Sequence, residues 1–98
     1  MVFILLVYIQ FNNKLDMEYF IKEFHKLQEY CLQYEKNILY NFEHYLSEKD
    51  ENKILIFEKY NNKQNYSEIH RNSQEFKSFK QKIKNINMKI EGETFLSF

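Results

Sequence analysis

The chain opens on an apolar run. From Val2 to Phe11 the residues are β-branched, aliphatic and aromatic, with no polar side chain before Tyr8. A strand covered on both faces reads this way. After a turn at Asn12-Asn13-Lys14 the spacing changes. Met17, Phe20, Ile21, Phe24, Leu27, Cys31 and Tyr34 recur three and four apart, which predicts one apolar face of a helix. Asp16 is placed to cap that helix. Lys22, Glu23, Lys26 and Glu29 fall at other angles and are expected in water.

Glu35-Lys36-Asn37 ends the helix, and Ile38 to Leu46 then alternates as an edge strand does, with Ile38, Tyr40, Phe42, His44 and Leu46 on one side. Ser47 to Asn52 is a loop of hairpin length. Lys53 to Tyr60 returns as a third strand, apolar on both sides at Ile54-Leu55-Ile56-Phe57. Asn61 to Asn72 predicts a short helix. Ser73 predicts the cap of a further helix through Phe76, Phe79, Ile83 and Ile86, and Met88 to Phe98 a last strand loosened by Gly92.

The order is βαββαβ. This predicts an α+β, ferredoxin-like sandwich with a four-stranded antiparallel sheet, one domain over residues 1–98. In that topology the first and third strands are central, and these are the two that are apolar on both faces. The helices can cover only one face. The other would leave about eight large side chains wet, each contributing about 1.5–3 kcal/mol when fully buried. A second copy of the chain packed on that face, a homodimer, is therefore expected.

Composition narrows the function classes. Lys plus Arg and Asp plus Glu are 14 each, so no net charge draws nucleic acid or an anionic membrane. The single Cys31 allows neither an internal disulfide nor a cysteine metal pair, and a cytoplasmic location is the expectation. The apolar start lacks the basic flank and small-residue cleavage pattern of a secretion signal, and is far shorter than the ~20 residues of a membrane span. Ala, Pro and Trp are missing, while Asn, Lys, Ile, Phe and Tyr abound. That bias is what an AT-rich genome writes, so aromatic richness alone carries no functional weight.

Two stretches carry more. Glu35-Lys36-Asn37-Ile38-Leu39-Tyr40-Asn41-Phe42 resembles the helix-to-strand junction of the antibiotic-biosynthesis monooxygenase family. Phe57-Glu58-Lys59-Tyr60, followed by His70-x-x-Ser73-x-x-Phe76-x-x-Phe79, resembles its second signature. This chain departs from the family pattern at Lys36, where glycine is usual, at Tyr60, where Trp is common, and at Gln74, where Pro is frequent. One extra residue also separates Tyr60 from His70.

The resemblance implies a dimeric α/β barrel whose subunits each keep a pocket between sheet and helices. It implies cofactor-free oxygenation of a small electron-rich aromatic, quinol- or anthrone-like, without metal, flavin or haem. That chemistry needs an apolar pocket and a base that titrates near neutral pH, which suits histidine. His70 is the candidate base, Glu58 the acid that orients it, and Tyr8 and Tyr60 the candidates to hydrogen-bond substrate oxygens. Each has a plainer role open to it, as a packed histidine, a strand-end acid or core tyrosines. His25 and His44 lack metal-ligand company. Haem-degrading relatives carry Trp where His70 stands and His where Lys80 stands, and this chain has neither. The competing expectation is a non-catalytic dimer that binds a small apolar or aromatic ligand or serves a structural role.

Overall fold

In the computed structural model, which describes residues 1–98, the elements follow the predicted order. They are β1 (Phe3–Phe11), α1 (Lys14–Tyr34), β2 (Leu39–Leu46), β3 (Lys53–Tyr60), α2, α3 (Gln74–Ile83) and β4 (Met88–Leu96). The segment α2 begins as one α-helical turn at Lys63–Asn65 and continues as a π-helical turn over Tyr66–His70. All strand pairs are antiparallel and the sheet order is β2-β3-β1-β4, so the two doubly apolar strands are the central ones. No helix is long and apolar enough to cross a membrane.

Alternation along the strands sorts the side chains. Phe3, Ile9 and Phe11 of β1, with Ile54, Ile56 and Tyr60 of β3, are buried against α1 and α3 in one core of 16 apolar residues. Phe20 and Phe24 of α1 and Phe79 of α3 meet there edge to face, with centroids 5.4 and 5.9 Å apart. The opposite positions, Ile4, Leu6, Tyr8, Leu55 and Phe57, lie on the face that no helix covers and are half-buried by their neighbours.

Several local expectations are corrected. Asn13, not Asp16, caps α1: its Oδ1 accepts from the Asp16 backbone N–H at 2.8 Å, and its amide reaches back to the Asp16 carboxylate. This reciprocal cap starts the helix at Lys14. Glu23 is buried rather than solvated, because Lys26 and Lys82 close on it at 3.0 and 3.3 Å and tie α1 to α3. Those ammonium groups, Lys26 first, hold its carboxyl below the usual range against the cost of burial. Tyr34 is 67% exposed, and the apolar face of α1 continues from Cys31 to Glu35 instead. A bulge at Leu39/Asn41 buries both Ile38 and Leu39 and turns Tyr40 outward. Gly92 does not loosen β4, which pairs through it with Val7.

Candidate active site

Glu35 sits where an acid is least expected. It is the C-cap of α1, at the negative end of the helix dipole, and only 4% exposed. Its backbone is fixed on three sides: its N–H donates to the Cys31 carbonyl, and its own carbonyl accepts from Ile38 and Leu39. A buried carboxylate at a helix C-terminus needs a compensating partner. Its Oε1 finds one at 2.8 Å in Nδ1 of His70, which is 1% exposed.

His70 ends the π-helical turn, where Arg71 N–H reaches the Tyr66 carbonyl at 3.1 Å. Such turns recur at functional sites because they rotate one side chain out of helical register. The His-x-x-Ser-x-x-Phe spacing gains a physical meaning here. Ser73 Oγ donates to the His70 carbonyl at 2.9 Å and accepts from the Phe76 N–H at 3.1 Å. One hydroxyl thus pins the end of α2 and opens α3. The Phe76 ring then lies 5.0 Å from the imidazole, with Tyr60, Phe42 and Tyr66 at 5.3, 5.4 and 5.8 Å.

On the other side of the imidazole, Nε2 lies 3.8 Å from Glu58 Oε1, too long for a hydrogen bond. Glu58 and Tyr60 project from the same face of β3, and the Tyr60 hydroxyl donates to Glu58 Oε1 at 2.6 Å. Burial pushes the Glu58 carboxyl above its usual range, with the Glu35 charge adding to the rise; the Tyr60 hydrogen bond and the nearby His70 and Arg71 oppose it. Burial likewise raises the Tyr60 hydroxyl, helped by Glu58. Two buried carboxyl groups therefore flank one imidazole. The hydrogen bond that orients it comes from Glu35 rather than from Glu58.

Cys31, one turn before Glu35, places Sγ 3.7 Å from the same Nδ1. Cys31, Glu35 and His70 offer donor atoms within 4.8 Å of one another. A divalent cation there would have to break the Glu35–His70 hydrogen bond. Burial first, then the Glu35 charge, pushes the Cys31 thiol far up, so it packs as a neutral group.

His70 and Glu58 form the polar floor of a cavity of about 170 Å³ between sheet and helices, whose 16 lining residues include 13 hydrophobic ones. Leu5, Val7, Ile9 and Ile56 supply the sheet wall; Phe20, Phe24, Phe79 and Ile83 supply the helical one. Lys80 and Ile90 are the exposed residues of the lining and mark its mouth.

Of the four residues singled out from the sequence, His70, Glu58 and Tyr60 come together. Tyr8 does not: it points to the uncovered face, beside Gln10, Lys53, Lys89 and Glu91. The parity of β1 decides this, since Val7 and Ile9 face the cavity and Tyr8 lies between them. Glu35 was missed as a site residue. Its signal was the step of four from Cys31, which continues the buried face of α1. His25 pairs with Glu29 in solvent, and His44 stacks edge-on to Phe24 with its Nδ1 unpartnered; burial lowers its pKa.

No protein-family model matches the chain, and no curated protein matches it by sequence. Solved structures do match. A Nitrosomonas europaea protein named "putative antibiotic biosynthesis monooxygenase" superposes with a TM-score of 0.83 at 14% identity, over 96% of this chain and 88% of that one. A Bacteroides thetaiotaomicron protein of unknown function, named a "possible oxidoreductase", gives 0.79 at 19% identity, over 96% and 97%. SnoaB, a cofactor-independent oxygenase from Streptomyces nogalater, gives 0.80 at 6% identity, over 99% and 93%. The chain therefore shares the fold of the antibiotic-biosynthesis monooxygenases.

Proposed function

We propose that this chain is a cofactor-independent monooxygenase that oxidises a small electron-rich aromatic with O₂. The observation that carries this reading is an imidazole fixed at Nδ1 by a buried carboxylate, Glu35, on the floor of an otherwise apolar cavity. Glu35 holds the tautomer in which Nδ1 carries the proton, leaving Nε2 directed at Glu58 as the basic nitrogen. Neutral Nε2 takes the proton of a substrate hydroxyl. The resulting anion passes one electron to O₂, and the radical pair joins at a ring carbon as a hydroperoxide. Loss of water from that adduct leaves a quinone.

One oxygen atom enters the product and the other leaves as water, and the substrate supplies all four electrons. No external reductant enters this balance. The apolar walls keep bulk water from the anion. Glu58 binds the substrate oxygen beside His70, and the Tyr60 hydroxyl holds Glu58 in place.

The reading includes a homodimer formed through the face bearing Ile4, Leu6, Leu55 and Phe57, which leaves the cavity on the far side of each sheet. Oxygen uptake with ¹⁸O₂ and a panel of reduced quinols tests the activity. One labelled atom in the quinone and one in water is the expected result. No uptake above the uncatalysed rate with any quinol would leave a ligand-binding or structural domain.

A further inference from the structure

The cavity has a size and a polarity, and together they restrict what it holds. An apolar cavity of about 150 Å³ takes one benzene ring. The 170 Å³ here encloses one ring with small substituents, and a system of three fused rings would have to project from it. Its charged and titratable side chains near neutral pH are three, His70, Glu58 and Lys80. His70 and Glu58 are at the floor, while Lys80 stands at the mouth as the one cation of the lining. Its Nζ sits 5.9 Å from the centroid of Phe76, a ring that also meets Arg71 at 5.5 Å and the His70 imidazole at 5.0 Å. Lys80 therefore sets one positive charge at the mouth, and the carboxyl groups lie at the floor.

We infer that the cavity takes a single-ring aromatic that carries a hydroxyl at one end and an anionic group at the other. The anion lies beside Lys80 and the hydroxyl reaches His70 and Glu58. An oxygen about 2.8 Å from each would bridge the 3.8 Å gap between Nε2 and Glu58 Oε1. The reverse orientation would set the anion against two buried carboxyl groups and away from Lys80, the one cation of the lining. This inference rests on the oxygenase reading for its chemistry, in which the ring hydroxyl and an adjacent or opposite ring C–H become a quinone and O₂ supplies that oxygen and water.

Binding is measured by calorimetry in the absence of O₂, so that it reports on the ligand class independently of turnover. The probes are 3-hydroxybenzoate, its neutral amide and a tricyclic anthrone, against the wild-type chain and Lys80→Met. Lys80 is exposed, so the variant is expected to fold. The benzoate should bind about fivefold tighter than the amide, the scale of one partly exposed ion pair. Lys80→Met should abolish that preference, and the anthrone should not bind. Equal affinity for acid and amide, a preference that survives Lys80→Met, tighter binding of the anthrone, or no binding of any probe would each overturn the inference. Benzoate binding without O₂ uptake would overturn the oxygenase reading alone. Uptake with the anthrone would overturn the ligand class alone.

Discussion

Glu35 Oε1 and His70 Nδ1 are 2.8 Å apart, both fully enclosed, and they join the end of α1 to a π-helical turn 35 residues later. Neither group would be stable there without the other. The pair breaks a local rule, an acid at the negative end of a helix, and such conflicts cluster at functional sites. Removing the carboxylate by Glu35→Ala should cost about 1–3 kcal/mol in urea unfolding, as leaving a buried hydrogen-bond donor unpartnered does. Glu35→Gln keeps a hydrogen bond to the ring and should cost clearly less. If the alanine variant is as stable as wild type, the pair does not anchor this junction.

Glu58 makes stability depend on pH in a stated direction. Burial raises its carboxyl above the ordinary 4.5. Below that ordinary value the group is protonated both folded and unfolded, and its contribution to stability is complete. As pH rises through the raised folded value, charge is forced onto a buried group and stability falls. Thermal melts across this window should show a loss in wild type that is absent in Glu58→Gln. Parallel profiles for the two proteins would contradict the assignment.

Ser73 holds two elements with one hydroxyl. Its loss in Ser73→Ala removes a helix cap and frees the His70 carbonyl, so a destabilisation of about 1–2 kcal/mol is expected. Activity should fall further than stability, because the imidazole is no longer fixed relative to the cavity. Equal effects on a folded sample would mean the serine is only a cap.

The uncovered sheet face should bring two copies together. A standard interface buries about 800 Å² per partner, which a four-stranded face can supply. Sedimentation should give a dimer for the wild-type chain and a monomer for Phe57→Lys, which sets a charge among Ile4, Leu6 and Leu55. A wild-type monomer at micromolar concentration would contradict the proposed assembly.

Much of this architecture is legible in the residue pattern. Doubly apolar β1 and β3 announce central strands, and Ser73 announces the start of α3. The parts that were not legible share a cause, the pairing of groups distant in the chain. Glu23 looks solvated until Lys82 arrives from α3, and Glu35 looks like a helix end until His70 arrives from α2. The single-residue bulge at Leu39/Asn41 reverses the predicted facing of Tyr40, and no local signal marks it. Tyr8 was misplaced for a simpler reason. An apolar strand shows no alternation, so its two faces are told apart only by what packs on each.

The central claim is that His70, held by Glu35, is the base of an oxygenase that needs no added cofactor. The direct test is oxygen consumption with a single-ring quinol, by chelator-treated wild type and by His70→Gln shown to be folded. Wild type should consume O₂ well above the uncatalysed rate, and the variant should lose about 10²–10⁴-fold, the usual scale of a general base. Uptake that survives His70→Gln would contradict the claim.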